Sequence, residues 1–292
     1  MNKVLVIAAA MMAVLMSANA EEKKSLVTFQ YEAGAEVVSS YIWRGLYNGG
    51  LSFQPTASVG FDAVDDDIQF RVGVWASLGA SDWQFKKGTP DADGNKYYTY
   101  FVPETDFMAS LRLWGATLGV THYYYYGGTP FFSGLTDDGG SQTEVQIGYD
   151  LGQTLENVNL YFNWYSIVAG NDVYEATDKD GNPYDKRAFS SYIEIGYRLD
   201  MVYDMTLEFQ IGMTPWKSLY TDYEGGFAVN NIYARFGKTW NVKEICDIEL
   251  FASGSINTYK INKDNLFVNA AGDAKIGGTQ RLNGTIGVGF WF

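Results

Sequence analysis

The chain has 292 residues, 47% of them apolar and 19% charged, with a formal net charge of −13. One cysteine, Cys246, and one histidine, His122, exclude an intramolecular disulfide, a cysteine zinc cluster and any chemistry that needs two histidines. The acidic balance argues against nucleic acid as a partner, because such proteins need a basic surface. The apolar and aromatic content is too high for a disordered chain.

The first twenty residues are typical of a bacterial secretory signal peptide. Lys3 supplies a short positive region, Val4–Met16 is an apolar run, and small residues ending at Ala20 precede Glu21. A retained anchor helix is the alternative, although this run is short for a bilayer. We therefore divide the chain into residues 1–20, a signal peptide, and residues 21–292, the exported protein.

Beyond the leader, the sequence alternates with a period of two. Val27, Phe29 and Tyr31 share one face of the first segment, while Thr28 and Gln30 share the other. This alternation is typical of a strand with one apolar and one polar face. It recurs in eleven further segments, at residues 53–61, 68–76, 107–113, 116–120, 145–149, 158–164, 193–199, 205–211, 232–236, 248–252 and 282–292.

The segments and their connections together predict an all-β fold. Many segments are about 9–13 residues long, which suits tilted strands that cross a bilayer. Short connections (Val64–Asp67, Trp114–Gly115, Leu151–Leu155, Asp200–Tyr203 and Lys238–Cys246) alternate with longer ones (Ala80–Pro103, Gly127–Gly140, Ala169–Arg187, Thr214–Gly226 and Lys260–Gly278), Leu46–Gly50 being a short exception. We predict a transmembrane antiparallel up-and-down β-barrel of about 12 strands in the bacterial outer membrane, with short periplasmic turns and longer outer loops.

Aromatic residues collect near the predicted strand ends, where rings with polar tips favour the bilayer interface. Packing within the loops is the alternative. The aromatic positions are Tyr41, Trp43, Tyr123–Tyr126, Tyr149, Tyr203, Trp216, Trp240, Phe290 and Phe292. The alternating last segment ends on Phe292, and this pattern resembles the terminal signal that the barrel-insertion machinery reads in bacterial outer-membrane barrels.

Alternation also predicts which charges face the lumen. The candidate lumen and selectivity residues are six arginines (Arg44, Arg71, Arg112, Arg198, Arg235 and Arg281) and six glutamates (Glu32, Glu36, Glu144, Glu194, Glu208 and Glu249). Arginine on the lipid face would cost about 2–4 kcal/mol at the midplane, which supports an inward orientation. Two hypotheses remain open: opposed Arg and Glu walls that line a water-filled passage, or a paired network that fills a closed lumen.

The surplus negative charge belongs chiefly to the loops. Two near-repeats, Asp91–Asn95 and Asp178–Asn182, alternate carboxylates in a way that can bind calcium. Their glycines stand fourth, whereas a full calcium loop needs glycine sixth and glutamate twelfth, so we interpret them as Asp-Gly turns. We predict no metal site and no cofactor, and an acidic mouth that favours cations.

The end of the first predicted strand and the residues after it resemble a known family. The run Val38-Ser39-Ser40-Tyr41-Ile42-Trp43-Arg44-Gly45, followed by Phe53-Gln54-Pro55, resembles the opening of a family of bacterial outer-membrane porins. The resemblance covers about twenty residues. It implies a β-barrel with a porin-like role but no particular solute, and it carries over no catalytic residue. Arg44 is the matched position that looks functional, and the alternative is that its guanidinium anchors the first outer turn through carbonyl or Glu contacts.

These patterns favour a porin-like channel for passive diffusion of small hydrophilic solutes, with a preference for cations. The expected partners are outer-membrane lipid and lipopolysaccharide, the insertion machinery and small polar solutes. One alternative is a non-channel barrel with an adhesion or structural role through its long Tyr- and Asp-rich loops. A phospholipase-type enzyme is a lesser alternative, because it needs a serine beside His122 and the neighbours of His122 in sequence are Thr121 and Tyr123. We predict no enzymatic activity.

Overall fold

The computed structural model describes residues 27–64, 67–79, 104–125, 131, 141–155, 158–243, 245–259 and 282–292. Sixteen strands lie in this part of the chain, and twelve of them belong to one sheet. The twelve are β1 (Val27–Val38), β4 (Ser52–Ala63), β5 (Ile68–Gly79), β6 (Glu104–Leu113), β7 (Ala116–Tyr125), β8 (Ser141–Asp150), β9 (Leu160–Gly170), β12 (Ser191–Met201), β13 (Met205–Thr214), β14 (Ala228–Val242), β15 (Cys246–Ile256) and β16 (Leu282–Trp291).

The twelve strands form a closed antiparallel barrel. Each pairs with its neighbour in the sequence of barrel strands, and β1 pairs with both β4 and β16, which closes the ring. All twelve predicted segments are confirmed as strands, and most extend a few residues beyond the predicted segment at one or both ends. The predicted fold class is therefore correct, including the number of strands.

The outer face of the barrel is apolar. Phe29 and Tyr31 are 77% and 82% exposed, and many apolar side chains on the other barrel strands are also exposed, including Val59, Leu118 and Ile286. A water-soluble protein does not expose a continuous band of large apolar side chains, whereas lipid solvates such a band. The polar members of each alternating pair point into the lumen.

The two ends of the barrel differ. At one end, the turn end, short connections at residues 64–67, 114–115, 151–159, 202–204 and 243–245 join the strands. The other end, the hairpin end, carries the longer connections, two of which contain hairpins: β2 (Tyr41–Trp43) with β3 (Leu46–Gly49), and β10 (Val173–Thr177) with β11 (Pro183–Arg187). This asymmetry is the predicted one, and by the general rule for such barrels the turn end faces the periplasm.

Glycines in the strands make room for aromatic rings that lie against the inner wall. Three lumen aromatics face a glycine directly across a strand pair: Trp291 faces Gly34, Tyr161 faces Gly196 and Phe251 faces Gly287. A Cβ atom at any of these glycines would overlap the facing ring. The rings can therefore lie flat on the wall instead of filling the centre of the barrel.

Part of the predicted aromatic girdle is wrong. Tyr149, Tyr203 and Trp240 are exposed near the turn end, as expected for interface residues. Tyr41 and Trp43, by contrast, lie on the β2–β3 hairpin, and Tyr123 is buried. Trp43 packs against Tyr123, with ring centres 5.7 Å apart, and Tyr41 packs against Trp75 at 5.4 Å, so these side chains lie inside the barrel. Within the described residues, no helix is long and apolar enough to cross a membrane.

Candidate functional site in the barrel lumen

The β2–β3 hairpin, residues Tyr41–Gly49, folds into the lumen, and we call it the plug hairpin. Its tip is Arg44–Gly45, where both residues have a positive φ (49° and 82°) and turn the chain back sharply. A Cβ at Gly45 would lie 2.9 Å from the carbonyl oxygen of Asn230 on β14, so the position requires glycine. The hairpin leaves the wall between β1 and β4 and reaches the strands on the opposite side.

Arg44 fastens the tip of the plug hairpin to the far wall. Its Nη1 and Nη2 atoms donate to the two carboxylate oxygens of Glu144 on β8, at 2.6 and 2.8 Å. Nη1 also donates to the hydroxyl of Tyr220 at 2.6 Å, and Tyr123 donates to Glu144 at 2.9 Å. The Arg44 and Glu144 side chains are 9% and 2% exposed, so this is a buried, bidentate ion pair.

Aromatic rings surround the Arg44 guanidinium. Its central carbon lies 3.9 Å from the ring centre of Tyr165, 4.8 Å from that of Trp43 and 4.9 Å from that of Tyr192. Leu46 packs with Tyr192 and Tyr220 in a buried apolar cluster. Stacking on these faces and the charge-assisted hydrogen bonds together hold the hairpin in one place.

A polar chain supports the ring of Tyr192 from behind. The hydroxyl of Tyr192 accepts from Asn231 Nδ2 at 3.0 Å, and Asn231 Oδ1 accepts from Ser255 at 2.8 Å. Tyr192 lies over Gly212, where a Cβ would overlap it. Strands β12, β13, β14 and β15 therefore all contribute to the position of the plug hairpin.

Two buried carboxylates beside the plug hairpin were missed by the sequence analysis. Glu104 shares hydrogen bonds with the hydroxyls of Tyr41 and Tyr125, and Asp106 is buried with no described partner at Oδ1. Both lie on β6, which begins before the predicted segment at Phe107. Extending the same alternation backward from Arg112 would have placed both in the lumen.

The other lumen arginines that the structure describes form pairs with acids on nearby strands. Arg71 pairs with Asp62 at 2.6 Å, and Arg112 pairs with Asp150 at 3.1 Å. Asp62 and Asp150 were not among the predicted lumen residues, although the alternation of their strands places both on the lumen face. Arg198 lies 3.5 Å from Glu208, while Arg235 lies 2.8 Å from Glu249 and 3.4 Å from Glu36.

The pattern of charges in the described lumen is one of interleaved pairs, not of two opposed walls. Among the remaining candidates, Glu194 accepts from Asn163 Nδ2 at 3.2 Å. Glu32 on β1 is exposed. Arg281 lies outside the described residues. Arg44 differs from the other arginines because it stands on the plug hairpin instead of a barrel strand.

His122 and the chain terminus have defined contacts. The ring nitrogens of His122 contact Thr143 Oγ1 and the carbonyl oxygen of Phe131, each at 2.9 Å. At the turn end, the backbone N–H of Phe292 donates to the carbonyl of Ala33 at 2.8 Å, and its side chain is exposed. The predicted role of Phe292 in insertion remains a prediction.

At the hairpin end, Asp172 joins two connections. Its carboxylate accepts from the backbone N–H and the hydroxyl of Ser190 at 2.8 and 2.5 Å and from the hydroxyl of Tyr223 at 3.3 Å. Burial raises the pKa of this carboxyl above its usual value, and the hydrogen bonds from Ser190 and Tyr223 offset part of that rise.

Asp178 forms a turn of its own. Its carboxylate accepts from the backbone N–H groups of Asn182 and Asp180, both at 2.8 Å, and Gly181 has a φ of 89°. Hydrogen bonds from Asn182 lower the pKa of this exposed carboxyl. The geometry is that of an Asp-Gly turn, as interpreted from the sequence. The related Asp91–Asn95 run lies outside the described residues.

A closed twelve-stranded barrel with a lipid-compatible exterior and a charged lumen defines a bacterial outer-membrane β-barrel protein. No family model matches the sequence, and no curated protein matches it either. The resemblance at Val38–Gly45 therefore remains a prediction. These residues span the end of β1 and the plug hairpin, not one strand.

Solved outer-membrane barrels show a distant likeness to this chain. OmpF of Salmonella typhi, in complex with daunomycin, is 10% identical with a TM-score of 0.38, over 91% of this chain and 97% of that one. The toluene transporter TodX of P. putida is 12% identical with a TM-score of 0.36, over 90% and 89%. A FadL homologue of Pseudomonas aeruginosa is 13% identical with a TM-score of 0.33, over 92% and 74%. Similarity at this level says nothing about what this chain binds or transports.

Proposed function

We propose that this barrel is a narrow porin-like channel for passive diffusion of small hydrophilic solutes. The observation that carries the proposal is the difference in side-chain exposure along the lumen. At the plug hairpin, Glu144 is 2% exposed, whereas nearer the turn end the Arg198 side chain is 60% exposed. A charged lumen whose side chains are exposed near the turn end and buried at the plug hairpin fits a passage with a constriction.

Cation preference is part of the proposal. Exposed carboxylates stand on the β10–β11 hairpin, including Glu175, Asp178 and Asp185, and attract cations to the hairpin end. The proposal requires no chemistry, cofactor or resident metal. The partners that it implies are lipid and lipopolysaccharide around the apolar exterior, the insertion machinery at Phe292, and the solutes themselves.

The plug hairpin also supports a second candidate, a non-channel barrel with a structural or adhesion role. The buried Arg44–Glu144 pair and the buried side chains of Leu46, Tyr192 and Tyr220 close part of the lumen. If the hairpin never leaves this position, the hairpin end of the barrel serves as a rigid support for the loops.

Conductance of purified protein in planar bilayers distinguishes the two. The channel proposal predicts ion conductance for the wild type and a larger conductance for Arg44→Ala, which loses the Glu144 and Tyr220 contacts. Lys179→Ala, which removes an exposed cation on the β10–β11 hairpin, is the control and should leave the size of the conductance close to that of the wild type. Absence of conductance in both the wild type and Arg44→Ala would exclude the channel and support the structural role.

A further inference from the structure

A cavity of about 200 Å³ lies in the lumen against four neighbouring strands, β16, β1, β4 and β5. Two tryptophans, two glutamates and three smaller polar residues line it: Trp75, Trp291, Glu32, Glu36, Gln54, Thr56 and Ser58. We infer that this cavity, the tryptophan–glutamate cavity, is a binding site for small organic cations. The inference deepens the proposed function because it names a class of solute that the passage would retain.

The strand register places a tryptophan on each side of the cavity. Trp291 faces Gly34, Gly34 faces Thr56, and Thr56 faces Trp75, so the four residues form one row across the wall. With neighbouring strands about 4.8 Å apart, the Cα atoms of the tryptophans stand about 14 Å apart. The two indoles therefore flank a space instead of stacking on each other.

Each indole has a fixed position. Trp291 lies over Gly34 and beside Gly289, and a Cβ atom at Gly34 would overlap its ring. Trp75 packs against Tyr41 of the plug hairpin, with ring centres 5.4 Å apart. Preorganised rings lose little conformational freedom when a ligand binds between them.

Carboxylates stand on both sides of the tryptophan row. Glu32 faces Ser58 on the side of the turn end, and Glu36 faces Gln54 on the side of the hairpin end. Among the described residues, the lining contains no lysine or arginine. Arg235 lies near Glu36 but is shared with Glu249, which is the closer of the two carboxylates. Two carboxylates share this one guanidinium, and Glu32 adds a further negative charge.

A polar group in the lining also lacks a protein partner. Gln54 is 6% exposed, and its Nε2 atom is buried without a hydrogen-bond partner among the described residues. A buried amide in this position favours a ligand or water that can bond to it. This feature of the lining is independent of the carboxylates and indoles.

Only one class of ligand uses all of these features. Indole faces attract ammonium groups, especially when water is excluded, and carboxylates attract the same charge. Alkyl substituents on the nitrogen would contact the rings. An anion would be repelled by the carboxylates of Glu32 and Glu36, and a neutral sugar would contact the indoles without balancing that negative charge. The chemistry therefore favours an amine or quaternary ammonium with a small polar group for Gln54.

Binding is measured by calorimetry on the full-length barrel in detergent, with choline chloride as the probe and with glucose and sodium chloride as comparisons. We expect saturable choline binding to the wild type, and about tenfold weaker binding after Glu32→Gln or Trp75→Leu. Glu175→Gln, an equal change of charge on the exposed β10–β11 hairpin, should bind choline like the wild type. Folding of every variant is checked by far-ultraviolet circular dichroism and resistance to protease.

Bilayer conductance of the same preparations separates this inference from the proposed function. Choline binding without conductance would support the binding site and contradict the channel proposal. Conductance without choline binding, or glucose binding as tight as that of choline, would overturn the cation site and leave the channel intact. Equal choline affinity in wild type, Glu32→Gln and Trp75→Leu would also overturn the site, because binding would then lie elsewhere.

Discussion

The guanidinium of Arg44 and the carboxylate of Glu144 meet through two hydrogen bonds of 2.6 and 2.8 Å, although the two residues belong to opposite sides of the barrel. This contact joins a short hairpin to strand β8 and fixes where the lumen narrows. Substitutions of Arg44 and Glu144 should therefore measure the free energy with which the plug hairpin is held.

Loss of Arg44 should be costly. We expect Arg44→Met to reduce the free energy of unfolding by about 3–5 kcal/mol, because Glu144 would remain buried without its counter-charge. The double variant Arg44→Met/Glu144→Gln should lose less than the sum of the two single variants. The measurement is equilibrium unfolding in guanidinium with the protein folded into lipid vesicles.

Arg198 provides the matched control for this prediction. Its side chain is 60% exposed and lies 3.5 Å from Glu208, so Arg198→Met should cost less than about 1 kcal/mol. Equal losses for Arg44→Met and Arg198→Met would contradict the assignment of Arg44 as the anchor of the hairpin.

The sequence predicted the strands and the faces of their side chains because both depend on a period of two, which is a local property. It did not predict the plug hairpin. Residues Tyr41–Gly49 are too few to span a membrane, and their place in the lumen depends on Glu144, Tyr192 and Tyr220, which lie far away in the chain. The resemblance at Val38–Gly45 singled out Arg44, and the alternative that its guanidinium anchors the turn through a Glu contact is the arrangement seen.

Alternation also failed to predict how the lumen charges pair. Alternation along a strand predicts which face a side chain lies on, but not its height in the barrel. That height depends on the strand register, which the turns fix. The partners of Arg71 and Arg112 proved to be Asp62 and Asp150, near the turns. Glu104 was missed because the predicted strand began at the first large apolar residue, Phe107.

Gly212, which lies beneath the ring of Tyr192, provides a second test of how the plug hairpin is held. Gly212→Ala should destabilise the barrel by about 1–3 kcal/mol, because the new methyl group would push Tyr192 away from the Arg44 guanidinium. Gly254→Ala is the control, since the nearest atom to a Cβ there is 4.0 Å away. Unfolding in guanidinium again gives the comparison, and a Gly212→Ala protein as stable as Gly254→Ala would show that Tyr192 can move freely.

The contribution of Asp172 to folding stability should depend on pH. Because burial raises the pKa of Asp172 in the folded state, its ionisation opposes folding. The stability that the protonated carboxyl contributes is complete below the usual pKa of about 3.9 and is lost as pH rises through the raised value. Asp172→Asn cannot ionise and should lack this component.

The stability of the wild type relative to Asp172→Asn should therefore fall as the pH rises from below the usual aspartate pKa of about 3.9 through the raised value. Thermal unfolding in a non-ionic detergent at each pH gives the difference. A difference that stays constant, or that grows in favour of the wild type, would contradict the direction of the pKa shift.

On the outer face of the barrel, the free-energy cost of a new charge should depend on its depth in the bilayer. Phe209→Arg places a cation in the apolar band of β13 and should cost about 2–4 kcal/mol in a bilayer, while Tyr203→Arg, in a turn, should cost about 0–1 kcal/mol. Folding into lipid vesicles measures both. Similar costs at the two sites would mean that residue 209 is not surrounded by hydrocarbon.

The barrel closes where the backbone N–H of Phe292 donates to the carbonyl of Ala33 and the N–H of Ala33 donates to the carbonyl of Phe292. The first and last barrel strands thus form the final seam, and residues from nearly the whole described length meet there. Until β16 is in place, β1 and β15 each present an open edge with unpaired backbone groups, which hydrocarbon does not tolerate. Completion of the ring therefore requires β16, and until it is in place something other than lipid has to cover both edges.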